Sequence, residues 1–364
     1  MIVKDEAHVI RRCLESVRPL VDTWVVLDTG STDGTQDVVR DALADLPGSL
    51  YESPWKGFGA SRTEAIERAR DRARHLLFID ADDVLETDPG FTWPDLTHDC
   101  YDIEVHHGPV VHRRPAMVST RLPWRYTGVL HEYLECDTPF SRAPLDGVRT
   151  VVKGGGGRSQ GSVRSKYLRD AAILKDGLAE EPGNARYAFY LAQSWRDAGE
   201  PAKALAAYDR RTEMAGFDEE TFCARLYAAR LAVTLRRRAP EVTARFLDAH
   251  AYRPTRAEPL GELARLCRVQ GERWPLAYLF AQRATQIPLP DDILFVEHGW
   301  YDWQSLDELA VAAYWMGAYR ESLEACEELL DGGRLPEAHH ERVVANRDFA
   351  RARLSVGAPR PQPA

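Results

Sequence analysis

The order of apolar and polar positions divides the chain into two regimes. In the amino-terminal part, short apolar runs alternate with amphipathic stretches. Trp24-Val25-Val26-Leu27 and His75-Leu76-Leu77-Phe78-Ile79 read as buried strands that end in acids. Val9, Ile10, Cys13, Leu14 and Val17 share one helical face, and Val38, Val39, Ala42, Leu43 and Leu46 share another behind a start near Thr35. Repeated strand, loop, helix units predict an α/β fold with an open sheet, whose ligands bind beyond the carboxyl ends of the strands. From about residue 185 the period is helical throughout. Leu191-Ala192, Trp195, Gly199, Ala204, Leu205 and Tyr208 have the small and large spacing of a packed helix pair. Similar spacing recurs at Leu263-Ala264, Cys267, Gly271 and Ala277, and at Ala312-Ala313, Trp315, Gly317 and Leu323. Three such pairs predict a short all-α solenoid. Trp300, Tyr301 and Trp303, placed on a loop between repeats, are expected to pack domains together, with anchoring of an acceptor as the alternative.

Between the regimes lies Lys153-Gly154-Gly155-Gly156-Gly157-Arg158-Ser159-Gln160-Gly161-Ser162, too rich in glycine to hold a regular element. The expected organisation is an α/β domain at 1–155, a flexible connection and first helix at 156–184, a helical repeat domain at 185–355 and a disordered tail at 356–364. The glycine stretch, next to Arg158, Arg164, Lys166 and Arg169, reads equally as a plain linker and as a loop folding over a bound diphosphate.

Composition narrows the class. With 364 residues and 44% hydrophobic positions, the chain can bury two cores. A net charge of -9 argues against a nucleic-acid partner, whose phosphates would be repelled. The six cysteines, Cys13, Cys100, Cys136, Cys223, Cys267 and Cys326, have neither zinc-site nor disulfide-framework spacing. No apolar run reaches membrane-spanning length and no signal-peptide pattern is present, so a cytoplasmic location is expected. Oligomeric state is open, a homodimer included.

Candidate chemistry concentrates at Asp80-Ala81-Asp82-Asp83. In an extended strand Asp80 and Asp82 point to one face, while Asp83 turns off the tip. Clustered carboxylates suit Mg2+ or Mn2+, hard ions that complete their shell with substrate phosphate and water. A solvated acidic strand end is the plainer alternative. Asp28, at the tip of the earlier strand and followed by Thr29-Gly30-Ser31-Thr32-Asp33-Gly34-Thr35, would lie at the same edge.

Taken together, Ile2-Val3-Lys4-Asp5-Glu6, Leu27 to Thr35, Ser61-Arg62 before a helix, and Asp80 to Asp83 resemble the ordered motifs of family 2 glycosyltransferases of the GT-A fold. The branch in which tetratricopeptide repeats follow the catalytic domain is the most similar. The resemblance implies a GT-A Rossmann-like mixed sheet domain with a TPR-like helical domain behind it. It also implies metal-dependent, inverting transfer of a hexosyl or N-acetylhexosaminyl group from a nucleotide-diphosphate sugar, with UDP favoured. On this reading Val3, Asp28, Arg62, Asp80 and Arg164 bind the nucleotide sugar, Asp82 and His131 hold Mn2+ or Mg2+, and Asp83 orients the metal's water or the sugar. Glu132, in Gly128-Val129-Leu130-His131-Glu132, is the leading candidate base, with Asp102 and Glu104 as rivals. A peptide or protein acceptor is favoured over a saccharide or lipid-linked one. The chain departs from the family pattern ahead of Ile2, where a longer first strand is expected. That departure keeps open a repeat scaffold with a degenerate transferase domain.

Overall fold

The computed structural model of the chain describes residues 1–108, 110–156, 162–271 and 273–356, in two compact units, Met1–Pro182 and Gly183–Ala364. Residues 157–161 of the glycine stretch, Arg158 included, and 357–364 of the expected tail lie outside the described residues.

The first unit has a three-stranded parallel sheet, β1 (Ile2–Val3), β2 (Trp24–Asp28) and β3 (Gly48–Glu52) in that order. Helix α1 (Ile10–Val17) buries Ile10, Cys13, Leu14 and Val17, the face read from its spacing. In α2 (Thr35–Ala42) only Thr35 and Val39 are fully buried; Val38 and Ala42 pack at the margin of the same core. Helix α3 (Phe58–Ala69) precedes β4 (His75–Leu77). A five-stranded mixed sheet follows in the order β4-β7-β6-β10-β5, with β5 (Asp83–Thr87), β6 (Cys100–His107), β7 (Val110–Ser119) and β10 (Arg142–Val152). Two short strands, β8 (Arg125–Thr127) and β9 (Tyr133–Glu135), form a separate hairpin. Helix α4 (Val163–Glu180), whose first turn is capped by the Ser162 hydroxyl accepting from the Ser165 amide, ends the unit. The expected single sheet is thus divided: β2 and β4 belong to different ladders. Ala81 nevertheless joins Val3, Ile10, Leu14 and Val26 in one apolar cluster, which holds the acidic segment against the parallel sheet.

The second unit is helical. Among the described residues, α5 (Ala185–Asp197) and α6 (Pro201–Thr212), α7 (Asp218–Thr234) and α8 (Ala239–Tyr252), α9 (Glu258–Gln270) and α10 (Trp274–Thr285), and α11 (Ser305–Trp315) and α12 (Tyr319–Asp331) form successive hairpins before α13 (Glu337–Val356). Gly199, Gly271 and Gly317 end the first helices of the three predicted pairs with φ of 74°, 75° and 77°, a left-handed turn that costs glycine little. Trp300, Tyr301 and Trp303 lie on a helical turn rather than a loop, and all three are engaged within this unit. Trp300 is buried on α9, where a Cβ at Gly261 would collide with its ring, and Tyr301 donates to Glu258 at 2.9 Å. Trp303 packs on the His339 ring. No helix among the described residues is long and apolar enough to cross a membrane.

Candidate functional site

The acids do not ride on a strand. β4 stops at Leu77, Phe78 still donates its amide to the Ala116 carbonyl at 2.7 Å, and the Asp83 amide closes a turn on the Asp80 carbonyl at 3.1 Å before β5 begins. Strand alternation therefore does not set the directions of Asp80 and Asp82. The turn sets Asp82 apart from Asp80 and Asp83, which share Arg114. Asp80 Oδ1 accepts from Arg62 Nη2 at 2.6 Å. Burial works against its charge, but Arg62 and Arg114 outweigh that and hold its carboxyl below the ordinary range. Asp83, 3% exposed, accepts from Arg114 Nη2 at 3.3 Å, and burial, followed by the charge on Asp80, pushes it up to about 6. Asp82 has no arginine or lysine within ion-pairing distance among the described residues; its Oδ2 meets only the Gly156 amide, at 3.3 Å.

Arg62 is the hinge of the site. Its Nε donates to Glu132 at 2.8 Å, and its guanidinium lies 5.5 Å from the centre of the Tyr126 ring. Burial opposes the cation, but Asp80, Tyr126 and Glu132 together hold it above its ordinary range. The helix carrying it starts at Phe58, so Ser61-Arg62 lie within it rather than before it, with Arg62 in its second turn. Gly59 brings that helix onto the β8 segment: a Cβ there would sit 2.7 Å from the Gly128 carbonyl. Thr63 completes the joint, its hydroxyl accepting from the Tyr126 amide at 2.9 Å. Close backbone approach and one hydroxyl thus fix where Arg62 meets Glu132.

Asp28 ends β2 at 1% exposure. Its Oδ1 accepts from the amides of Gly30 and Ser31, both at 2.8 Å, while Oδ2 is buried with no hydrogen-bond partner among the described residues. An ionised oxygen left so is costly unless a ligand donor meets it. The rest of the motif is scaffolding. Ser31 Oγ accepts from the Asp5 amide, Thr35 Oγ1 from the Glu6 amide and Asp33 from the Ala7 amide, at 2.9, 2.8 and 2.9 Å. Asp5 adopts φ 54° and its carboxylate accepts from the Thr32 amide. The two motifs, 27 residues apart in the chain for the Asp5 and Thr32 pair, are stitched into one rim. Val3 contributes its side chain to the core, and its carbonyl accepts from the Thr29 amide and hydroxyl.

The glycines after β10 close over the acidic turn. Arg12 Nη2 donates both to the Asp82 carbonyl at 3.0 Å and to the Gly154 carbonyl at 2.6 Å, and His8 Nε2 lies 2.7 Å from the Gly155 carbonyl. A Cβ at Gly156 would sit 2.9 Å from Asp82 Oδ2, so only glycine fits without a shift. Arg164 stands exposed in the first turn of α4. His131 is exposed on the turn between β8 and β9 with φ 51°, next to the inward-held Glu132. Among the described residues, no three His, Cys, Asp or Glu side chains gather in metal-ligating geometry. The rival carboxylates are engaged elsewhere: Asp102 forms a bidentate pair with Arg142, and Glu104 meets Arg113 and His106. Sequence reasoning missed Arg12 and Arg114. Arg114 sits among alternating strand residues with no local mark, and Arg12 lies on the polar face of α1, where a solvated arginine is the ordinary reading.

Comparison with known proteins bears on this arrangement. The family model for glycosyl transferase family 2 matches residues 1–89. A TPR repeat-containing protein of Synechococcus elongatus is 42% identical over 85 residues, 23% of this chain and 20% of that protein. The SPbeta prophage-derived glycosyltransferase SunS of Bacillus subtilis is 25% identical over 204 residues, 52% of this chain and 47% of that protein. The chain therefore spans less than half the length of these curated relatives. Among solved structures, S. aureus TarS 1-349 in complex with UDP-GlcNAc aligns with 81% of this chain and 94% of its own at 14% identity and a TM-score of 0.32. MamA aligns with 53% of this chain and 92% of its own at 13% identity and a TM-score of 0.33.

Proposed function

With a family 2 glycosyl transferase domain at residues 1–89 and tetratricopeptide-type repeats behind it, we propose that this chain transfers a sugar from a uridine-diphosphate donor to a peptide or protein, assisted by a divalent ion. The observation that carries the donor reading is the buried Oδ2 of Asp28, which has no hydrogen-bond partner among the described residues. The ring imide of uracil presents an N–H there; the ring nitrogen of cytosine presents a lone pair and would be repelled.

Asp82 fits a hard cation by its chemistry: an oxygen donor with no cationic side chain on it among the described residues, where one carboxylate, substrate phosphate and water suffice for Mg2+ or Mn2+. His131 is the second proposed ligand. When bound, the ion would supply charge neutralisation to the departing diphosphate. The chain's own residues do the rest. Arg62 and Asp80 orient ribose and phosphate, Arg164 adds a cation for the diphosphate, and Asp83 positions the sugar. Glu132 accepts the proton of the acceptor's hydroxyl, thiol or amine once the donor's phosphates draw Arg62 away from it. Attack opposite the leaving group inverts the anomeric carbon in one displacement. The transferred group is a hexosyl or N-acetylhexosaminyl unit.

The helical hairpins support the peptide reading, since stacked repeats form extended surfaces suited to an unfolded segment. A thermal-shift screen of nucleotide sugars with and without Mn2+ tests the proposal. A UDP-sugar at 100 times its Kd should raise Tm by about 5 °C or more, only with the metal. Equal shifts with all bases, or none with any, would refute it.

A further inference from the structure

In the second unit, the coil between α10 and the turn at Trp300 is gripped by residues remote from it in the chain. Its residues Asp292 to Glu297 lie across the first helices of three successive hairpins, α5, α7 and α9, and are held there as a bound peptide would be.

Charged groups read the main chain. Glu219 Oε2, on α7, accepts from the amides of Ile293 and Leu294 at 2.9 and 2.7 Å, and Glu258 Oε1, at the start of α9, accepts from the Glu297 amide at 3.2 Å. Arg256, fully buried, donates to the carbonyls of Leu294 and Phe295 at 3.3 and 2.9 Å. Side chains are read by type. Asp292 accepts from Arg253 Nε at 2.6 Å and Arg256 Nη1 at 3.1 Å, while Glu297 takes both terminal nitrogens of Arg230, at 2.6 and 2.9 Å. Between the two acids, the Phe295 ring meets Phe189 of α5 and Tyr227 of α7, with centroids 6.5 and 6.4 Å away.

Nothing in this grip requires the segment to be covalently continuous with the helices, and the segment is weakly committed to its place. Phe295 has φ 48°, a conformation that strains a bulky residue by about 1–3 kcal/mol. Little apolar surface is buried in return: Ile293 is 86% exposed and Phe295 43%. Retention therefore rests on polar contacts, which another peptide can replace at small net cost. The receiving side is different. Glu219, Arg256 and Glu258 are buried charges, so an emptied groove would leave them short of partners and favour refilling.

We propose that α5, α7 and α9 form a peptide-binding groove that the chain fills with its own residues 292–297. Its partner is an acidic peptide with a carboxylate, an aromatic ring three residues later and a second carboxylate two residues beyond, bound in exchange for the resident segment. This holds whatever donor the first unit uses.

The test uses the full chain and a fluorescent synthetic peptide copying residues 290–298. In one variant, Asp292→Ala, Phe295→Ala and Glu297→Ala together release the segment. That variant should bind the peptide at least about 100-fold more tightly than the parent, where the tethered segment competes at millimolar effective concentration. A peptide with alanine in place of its phenylalanine should bind the variant at least about tenfold more weakly. Absence of binding by the folded variant, equal binding by the parent, or indifference to the phenylalanine would overturn the proposal. Hydrogen exchange on the parent decides the matter if the variant does not fold. The Ile293 and Leu294 amides should exchange at least about tenfold faster than those at the centre of α7, through opening of the segment alone. Exchange as slow as that of α7 would mean that the segment leaves only on global unfolding, and would refute displacement.

Discussion

Asp28→Asn separates the structural from the ligand-binding half of one carboxylate. The substituted side chain keeps an oxygen for the Gly30 and Ser31 amides, each at 2.8 Å, so the turn into α2 should survive. What changes is the atom at Oδ2, buried without a hydrogen-bond partner among the described residues, which becomes an N–H2 group. An N–H facing the uracil imide removes a hydrogen bond to a charged group, about 1.5–3 kcal/mol, and sets two donors against each other. At 1.4 kcal/mol per decade, UDP affinity should fall by about 10- to 150-fold. The same N–H2 faces the ring nitrogen of cytosine with the correct polarity, so CDP affinity should rise. Titration calorimetry of UDP and CDP against both proteins, in saturating Mn2+, reads the two changes at once. A parallel loss for both nucleotides would mean a collapsed turn, and an unchanged UDP to CDP ratio would refute base recognition by Asp28.

Further expectations follow from the same geometry. Arg62→Ala leaves Asp80 and Glu132, both partly buried, without their shared cation; a cost of about 2–3 kcal/mol, reduced from the fully buried case by solvent access, should appear as a lower urea midpoint at unchanged m. Asp83, raised to about 6 from the usual carboxylate value near 4, binds more protons folded than unfolded between these limits. Its contribution to stability is therefore complete below about pH 4, declines as pH rises through 6 and is flat above. In EDTA, Asp83→Asn should have its Tm advantage over the parent appear across pH 4 to 6 and persist above, and a difference independent of pH would contradict this. Gly59→Ala forces a Cβ to within 2.7 Å of the Gly128 carbonyl, so overpacking should cost about 1–3 kcal/mol and weaken donor binding by displacing Arg62 from Glu132, checked by denaturation and calorimetry.

The residues that could be read ahead of the structure are those whose role is local. The buried face of α1 and the start of α2 follow from spacing, and the three glycine-ended hairpins from a residue type that the left-handed turn selects. The hairpin of α7 and α8 escaped for two physical reasons. Helix α7 buries most of its circumference, Glu219 and Glu220 included, so no polar face sets a period. Its turn also places Arg236 at φ 52° where the other pairs have glycine. At the site, the acids themselves were legible, but not their directions. A turn closed from Asp83 to Asp80 replaces the strand alternation that would have paired Asp80 with Asp82. Nor could spacing anticipate that Arg62 would be shared by Asp80 and Glu132, residues 18 and 70 positions away, since that depends on the approach of two backbones at Gly59.

In the proposed function, Asp82 is the oxygen donor that couples a divalent ion to a nucleoside diphosphate. Titrating UDP into the protein and into Asp82→Asn, each with Mn2+ and with EDTA, measures that coupling directly. The parent should bind UDP at least about tenfold more tightly with Mn2+ than without, and Asp82→Asn should bind equally weakly in both. Metal-enhanced binding that survives Asp82→Asn, or parent affinity unaltered by Mn2+, would contradict it.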